Sequence, residues 1–163
     1  MTENRAEVAR EVAAPPQKIF ALLCDPKGHV AIDASGMLQS AEGASVGAVG
    51  DTFVVHMDRE ALNDRPMGRY DATVVITAFE QDRRIEWTPA VEHGYCFGYL
   101  LEPTDAGCRA TSYCDWSARA AGGRQVEGFP LISVATLRAG LGILARTVEE
   151  RSTTLDRGAE GAA

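Results

Sequence analysis

Along this chain the apolar positions first alternate with polar ones, then fall three to four apart for a short stretch. They alternate again through most of the length and finally settle into one long three-to-four spacing. Side chains alternate across a strand and recur every 3.6 residues around a helix. The order therefore predicts one strand, a short helical insertion, an unbroken run of strands and one long terminal helix. From Ala6 to Ala13, Val8 and Val12 share one strand face, and Pro15-Pro16 closes the segment. Proline is tolerated in the first turn of a helix, where its missing N–H would have no partner, so the same pair starts a helix carrying Ile19, Phe20, Leu22 and Leu23. Asp25-Pro26 stops that helix and starts a second one through His29, Val30 and Ile32, ending near Ala34-Ser35-Gly36.

Past Gly36 the period changes to two. Met37 to Ala41 reads as a short strand and Gly43 to Gly50 as a turn-rich connector. Asp51 to Asp58 sets Phe53, Val55 and Met57 against Val54, His56 and Asp58, a strand with two dissimilar faces. Arg59 to Gly68 is a polar loop suited to act as a flap. Arg69 to Phe79 is rich in Val, Ile, Thr and Tyr and is the most clearly patterned strand. Gln81-Asp82 turns into Arg84 to Thr88, which Pro89 ends; Tyr95 to Leu101 alternates Tyr, Phe, Tyr, Leu. Pro103 to Gly107 has the composition of a hairpin turn, and Cys108 to Trp116 completes the sheet. Val134, Leu137, Leu141, Leu144, Val148 and Leu155 then form one helical stripe. Gly140 and Gly142 weaken that helix by about 1 kcal/mol each relative to alanine, and in exchange permit close approach to the sheet or space beside a ligand. A curved antiparallel sheet closed by a single helix fills its own middle poorly, so an α+β domain with an internal cavity is expected. One domain over residues 1–157 is predicted, with a frayed tail at 158–163 and no internal repeat.

Composition narrows the partners. A chain of 163 residues with 45% hydrophobic content is long enough for one substantial core. No run of apolar residues is long enough to cross a membrane, and the charged N-terminus lacks the apolar segment of a signal peptide, so a soluble, cytoplasmic protein without membrane insertion is expected. The net charge of −7, with sixteen scattered Lys and Arg, disfavours nucleic acid. Cys24, Cys96, Cys108 and Cys114 form no CxxC pair and read as reduced core residues. The histidines show no HExxH or HxH spacing, no glycine-rich phosphate loop follows a strand, and no GxSxG elbow occurs. Neither a metal nor a cofactor is expected.

The assembled pieces resemble the helix-grip (SRPBCC) superfamily, which includes START, Bet v 1-like and polyketide cyclase/dehydratase proteins. The resemblance rests on Val12-Ala13-Ala14-Pro15-Pro16, Ile19 to Leu23, Asp25-Pro26 and Ile32-Asp33-Ala34-Ser35-Gly36-Met37. It continues through Val49-Gly50-Asp51, Phe79-Glu80 with Arg84-Ile85-Glu86-Trp87, Tyr99 to Pro103, and Asp115-Trp116-Ser117. It covers nearly the whole chain. It implies a curved antiparallel sheet of about seven strands around a long C-terminal helix, with two short helices after the first strand and an internal cavity. It implies no single activity, since the fold serves lipid carriage, sensing, polyketide cyclisation and dehydration, and chaperone stimulation. Ala34, where glycine is expected in this branch, and Cys96-Phe97, where larger or more polar residues are frequent, suggest a pocket with its own shape.

Such a cavity would be apolar with a few polar anchors. His56 and Asp58 share a strand face. If that face is the inner one, the carboxylate orients the imidazole for proton abstraction beside a carbonyl; if it is the outer one, both are solvated and Phe53, Val55 and Met57 face the core. Tyr70, Tyr95, Tyr99 and Tyr113 can donate to a ligand carbonyl, or simply pack with their hydroxyls toward water, Tyr70 and Tyr99 being the preferred two. Asp33 either binds a ligand hydroxyl or stabilises the Ser35-Gly36 turn. Met57, Trp87, Phe97, Trp116, Leu137 and Leu141 are the expected apolar walls. His93 reads as a loop histidine.

Three functions fit this picture. One is a cofactor-independent cyclase or dehydratase that folds a hydrophobic natural-product intermediate in the cavity, with acid–base help from His56, Asp58, Tyr70, Tyr99 or Tyr113. Another is a non-catalytic carrier or sensor of a hydrophobic ligand or lipid. The third is a protein–protein module in which the last helix or the acidic surface docks a partner. The exposed first strand, Glu7 to Val12, could also pair with its copy in a homodimer.

Overall fold

The computed structural model describes residues 3–160. Strand β1 (Arg5–Val12) is followed by helices α1 (Pro16–Cys24) and α2 (Pro26–Ile32), then by strands β2 (Leu38–Glu42), β3 (Thr52–Asp58), β4 (Arg69–Glu80), β5 (Arg84–Thr88), β6 (Cys96–Thr104) and β7 (Gly107–Asp115). Helix α3 (Ser117–Ala121) and the long α4 (Val134–Glu160) complete the chain. Helices α1 and α2 form where prolines stand in their first turns, and the Asp25 carboxylate accepts from the Lys27 amide to cap α2. Helix α4 continues through Glu160, so part of the predicted frayed tail is helical, and residues 161–163 lie outside the described residues.

The strands make one antiparallel sheet of seven, in the order β1-β7-β6-β5-β4-β3-β2. This is a helix-grip architecture, with β1 and β2 as the two edges. Register fixes the faces. Cys108, Ala110, Ser112 and Cys114 of β7 pair with Val12, Arg10, Val8 and Ala6 of β1 and point inward, toward the helices. Phe97, Tyr99 and Leu101 of β6, and Ile85 and Trp87 of β5, lie on the same inner face. A bulge between Ile76 and Ala78 lets the long strand β4 keep Tyr70, Ala72, Val74 and Ile76 inward and return Phe79 to the same side, where it meets the Phe20 ring edge-on at 5.2 Å. The β6–β7 turn is tighter than composition suggests. Both strands run on to the Thr104–Gly107 pair, leaving only Asp105-Ala106 between them. Gly107, at φ 142°, is required there because a Cβ would strike the backbone at Val12 and Ala14.

The core is continuous. Ile19, Phe20 and Leu23 of α1 and Leu141, Leu144 and Val148 of α4 are buried against the inner sheet face, and burying each such side chain contributes roughly 1.5–3 kcal/mol. Helix α4 packs chiefly on β1, at one edge of the sheet, with α2, β7 and α1 alongside. Leaning to that side of the sheet, it leaves the space over β3 to β6 incompletely filled.

Candidate functional site

That space is a cavity of about 650 Å³ between the inner sheet face, α2, the first turns of α4 and the 122–133 segment. Its walls are largely apolar and aromatic, including Phe53, Val55, Met57, Val74, Trp87, Phe97, Phe129 and Leu137. Trp87 stacks on Tyr99 with centroids 6.0 Å apart, and Tyr95 meets Phe97 and Phe129 edge-on at 5.9 and 5.5 Å. The rim carries the exposed residues Arg65, Met67, Glu92, His93 and Glu127, which come from the loops after β3, β5 and α3.

The loop predicted as a flap is anchored. Arg59, buried, donates through Nε to Asp64 Oδ1 at 2.9 Å and through its terminal nitrogen to Oδ2 at 2.6 Å, while the Arg59 amide donates to the Gly68 carbonyl. The paired guanidinium holds the Asp64 carboxyl below the ordinary carboxylate range. On the other side, Arg119 donates to the His93 and Gln125 carbonyls, tying α3 to the β5–β6 loop.

Polar side chains stand among these walls, several of them already engaged within the protein. Tyr70 and Tyr95 are partly buried, and their hydroxyls make no hydrogen bond among the described residues. Burial pushes both phenols up, that of Tyr95 to about 12, so both are neutral donors at pH 7. Tyr99 is buried beside the Ser112 hydroxyl and is likewise raised to about 12 by burial. Asp33 lines the cavity, but its carboxylate is used by the turn. Oδ1 accepts from the Ser35 amide at 2.9 Å and the Ser35 hydroxyl at 2.6 Å, and Oδ2 accepts from the Leu38 amide at 3.0 Å.

His29 is the polar residue that sequence reasoning missed. It sits on α2 with its ring 4.6 Å from Trp87 and 5.0 Å from Phe53, and it is 6% exposed. Burial lowers its pKa to about 4, outweighing the Leu23 carbonyl and the Asp25 charge. The signal available was a histidine among helical apolar positions, which by spacing alone reads as core.

Of the residues expected at the site, Asp33, Met57, Tyr70, Trp87, Phe97, Tyr99 and Leu137 line the cavity. Trp116 and Leu141 do not; both are buried behind it, Trp116 against Phe129 at 5.7 Å. The inward His56–Asp58 pair is corrected. Phe53, Val55 and Met57 take the inner face, so His56 and Asp58 lie on the outer one, apart from each other in their bonding. His56 Nδ1 is 2.6 Å from Asp71 Oδ1 on β4, and Asp58 accepts from the Glu60 amide and from Arg69. Asp71, together with Glu42, raises the His56 pKa. Tyr113 is corrected too. It stands at the wall, but its ring lies on the outer face across Gly98, where a Cβ would collide with it. Its hydroxyl donates to Glu86 at 2.8 Å, and Arg5 covers the ring at 3.7 Å. Burial alone would raise the Glu86 carboxyl, but bonds from Tyr113, Arg84 and Thr77 hold it below its ordinary value.

Among the described residues no three His, Cys, Asp or Glu side chains converge to hold a metal ion, and no helix is long and apolar enough to cross a membrane. No family model matches the sequence, and no curated protein does. Solved structures do match in fold. Protein NE0264 from Nitrosomonas europaea is 17% identical with a TM-score of 0.62, over 94% of this chain and 99% of that one. Protein CV1439 from Chromobacterium violaceum is 15% identical at 0.61, over 90% and 98%. An AHSA1-like protein from Aeromonas hydrophila is 15% identical at 0.58, over 91% and 94%. At these identities the likeness is one of fold alone, and this chain has a helix-grip-like fold.

Proposed function

We propose that this protein binds one hydrophobic, largely planar small molecule in the cavity between the sheet and α4. The observation that carries this reading is the cavity of about 650 Å³, whose walls are aromatic and aliphatic with polar side chains set among them, the usual make-up of a small-molecule site. The Tyr70 and Tyr95 hydroxyls supply donors for a ligand carbonyl.

A second, finer reading is cofactor-independent chemistry of the cyclase or dehydratase type on a polyketide-like intermediate. It is favoured by the unengaged hydroxyl of Tyr70. On this reading rate comes mainly from holding reacting carbons together, with a neutral phenol stabilising charge that develops on a carbonyl oxygen. His56, Asp58 and Tyr113 have no part in it.

Native mass spectrometry of the protein purified from its own host, followed by denaturation and identification of what is released, tests both readings. A one-to-one hydrophobic ligand is expected. Release of an unaltered cargo molecule would favour carriage, release of a cyclised or dehydrated product would favour turnover, and failure to take up any hydrophobic compound would overturn both.

A further inference from the structure

We propose that His29 is the ligand-recognition residue of the deep end of the cavity. Its Nδ1 accepts a hydrogen bond from a hydroxyl or N–H at the leading end of the bound molecule. This inference rests on the binding reading above and adds the ligand's chemical class, an apolar molecule ending in a phenolic, enolic or similar donor.

The tautomer follows from the contact. His29 Nε2 is 2.7 Å from the Leu23 carbonyl oxygen. A carbonyl carries no proton, so Nε2 must donate. Burial keeps the imidazole neutral, which leaves the lone pair on Nδ1. That nitrogen has no hydrogen-bond partner among the described residues. Yet it is not sealed away, because the one side-chain nitrogen or oxygen that is both sealed and unpartnered among them is Arg84 Nε. The open space beside His29 is the cavity that its ring lines.

A ligand hydroxyl or N–H at Nδ1 gains one net hydrogen bond over the solvent that the open cavity otherwise admits. Selectivity follows from sign. A hydroxyl or N–H satisfies the Nδ1 lone pair, whereas a carbonyl, ether or carboxylate would place lone pairs against it. Phe53 and Trp87 flank the ring and hold its orientation. Tyr70 and Tyr95, less buried than His29, offer donors. The cavity therefore reads a ligand as donor-first and acceptor-last.

The test uses the intact protein with two probes of matched shape, 2-naphthol and 2-methoxynaphthalene. Affinities are read by calorimetry, and the imidazole nitrogens by long-range proton–nitrogen NMR. We expect the free protein to show protonated Nε2 and bare Nδ1. The naphthol should bind about five- to tenfold more tightly, the worth of one net hydrogen bond, and should shift the His29 Nδ1 resonance, while the ether leaves it in place. His29→Leu should abolish the preference while still binding the ether. The wild-type comparison and the nitrogen spectrum decide the matter even if that variant fails to fold. Equal binding of both probes with an unmoved Nδ1, or a free protein protonated at Nδ1, would overturn the role of His29 and leave the binding reading standing. Binding of neither probe up to its solubility would overturn both.

Discussion

His29 and His56 titrate in opposite directions, and each direction has one dominant cause. His29 is buried neutral, with its pKa lowered to about 4 from 6.5. In the unfolded chain the imidazole takes up its proton as pH falls through about 6.5; in the folded chain it does so only near 4. The stabilisation is therefore complete above pH 6.5 and is lost as pH falls from there toward 4. With each tenfold change in proton affinity worth about 1.4 kcal/mol, a loss of a few kcal/mol is expected over that interval. Urea unfolding measured at pH 7.5, 6, 5 and 4 checks it. His29→Leu should flatten that part of the curve, and an unchanged slope would show that the ring is not buried neutral. His56 behaves the other way. Asp71 at 2.6 Å and Glu42 at 3.4 Å raise its pKa, so its contribution is present below 6.5 and fades as pH rises through the folded value. Asp71→Asn should lower the pKa read from the His56 ring protons by NMR titration.

At the scale of elements, helix α4 carries two glycines that its sequence alone makes look costly. The structure separates them. Gly142 faces Arg10, whose guanidinium nitrogen would lie 3.6 Å from an added Cβ, an ordinary contact. Gly142→Ala should therefore stabilise the protein by about 1 kcal/mol through helix propensity without touching the cavity. Gly140 lines the cavity and sits against α2, where an added Cβ would be 3.4 Å from the Ile32 carbonyl oxygen. Gly140→Ala should gain a similar stability, since that contact is ordinary, but should weaken ligand binding by narrowing the space. Chemical denaturation and the naphthol titration measured on both variants separate these outcomes. Equal affinities would mean that Gly140 has no role at the cavity. The Arg59–Asp64 pair belongs to this scale too, because it turns an apparent flap into a braced wall.

For the whole molecule, the uneven seating of α4 divides its apolar stripe into a packed part and a cavity part. Leu144 is wholly buried in the core, whereas Leu137 borders the cavity. Leu144→Ala should cost about 2–5 kcal/mol, the transfer term plus a new void, and Leu137→Ala distinctly less, because the space beside it is already open. Thermal unfolding of the two variants checks the order. How much of this was legible beforehand depends on the scale at which it is decided. Alternation in Asp51 to Asp58 and Arg69 to Phe79, the proline starts of α1 and α2, and the stripe from Val134 determined the elements, their order and the helix-grip resemblance, because those signals are local. Alternation also determined that Phe53, Val55 and Met57 share a face opposite His56 and Asp58, since the strand period is two. Tertiary structure decided which face turned inward and which residue met His56, since a cross-strand partner is set by register, and Asp71 stands opposite only once β3 and β4 pair. It brought the 122–133 segment, which has no periodic pattern, across the cavity with Phe129 and Leu131. It also gave His29 its tautomer, because the Leu23 carbonyl and the aromatic neighbours that bury the ring meet it only in the folded chain.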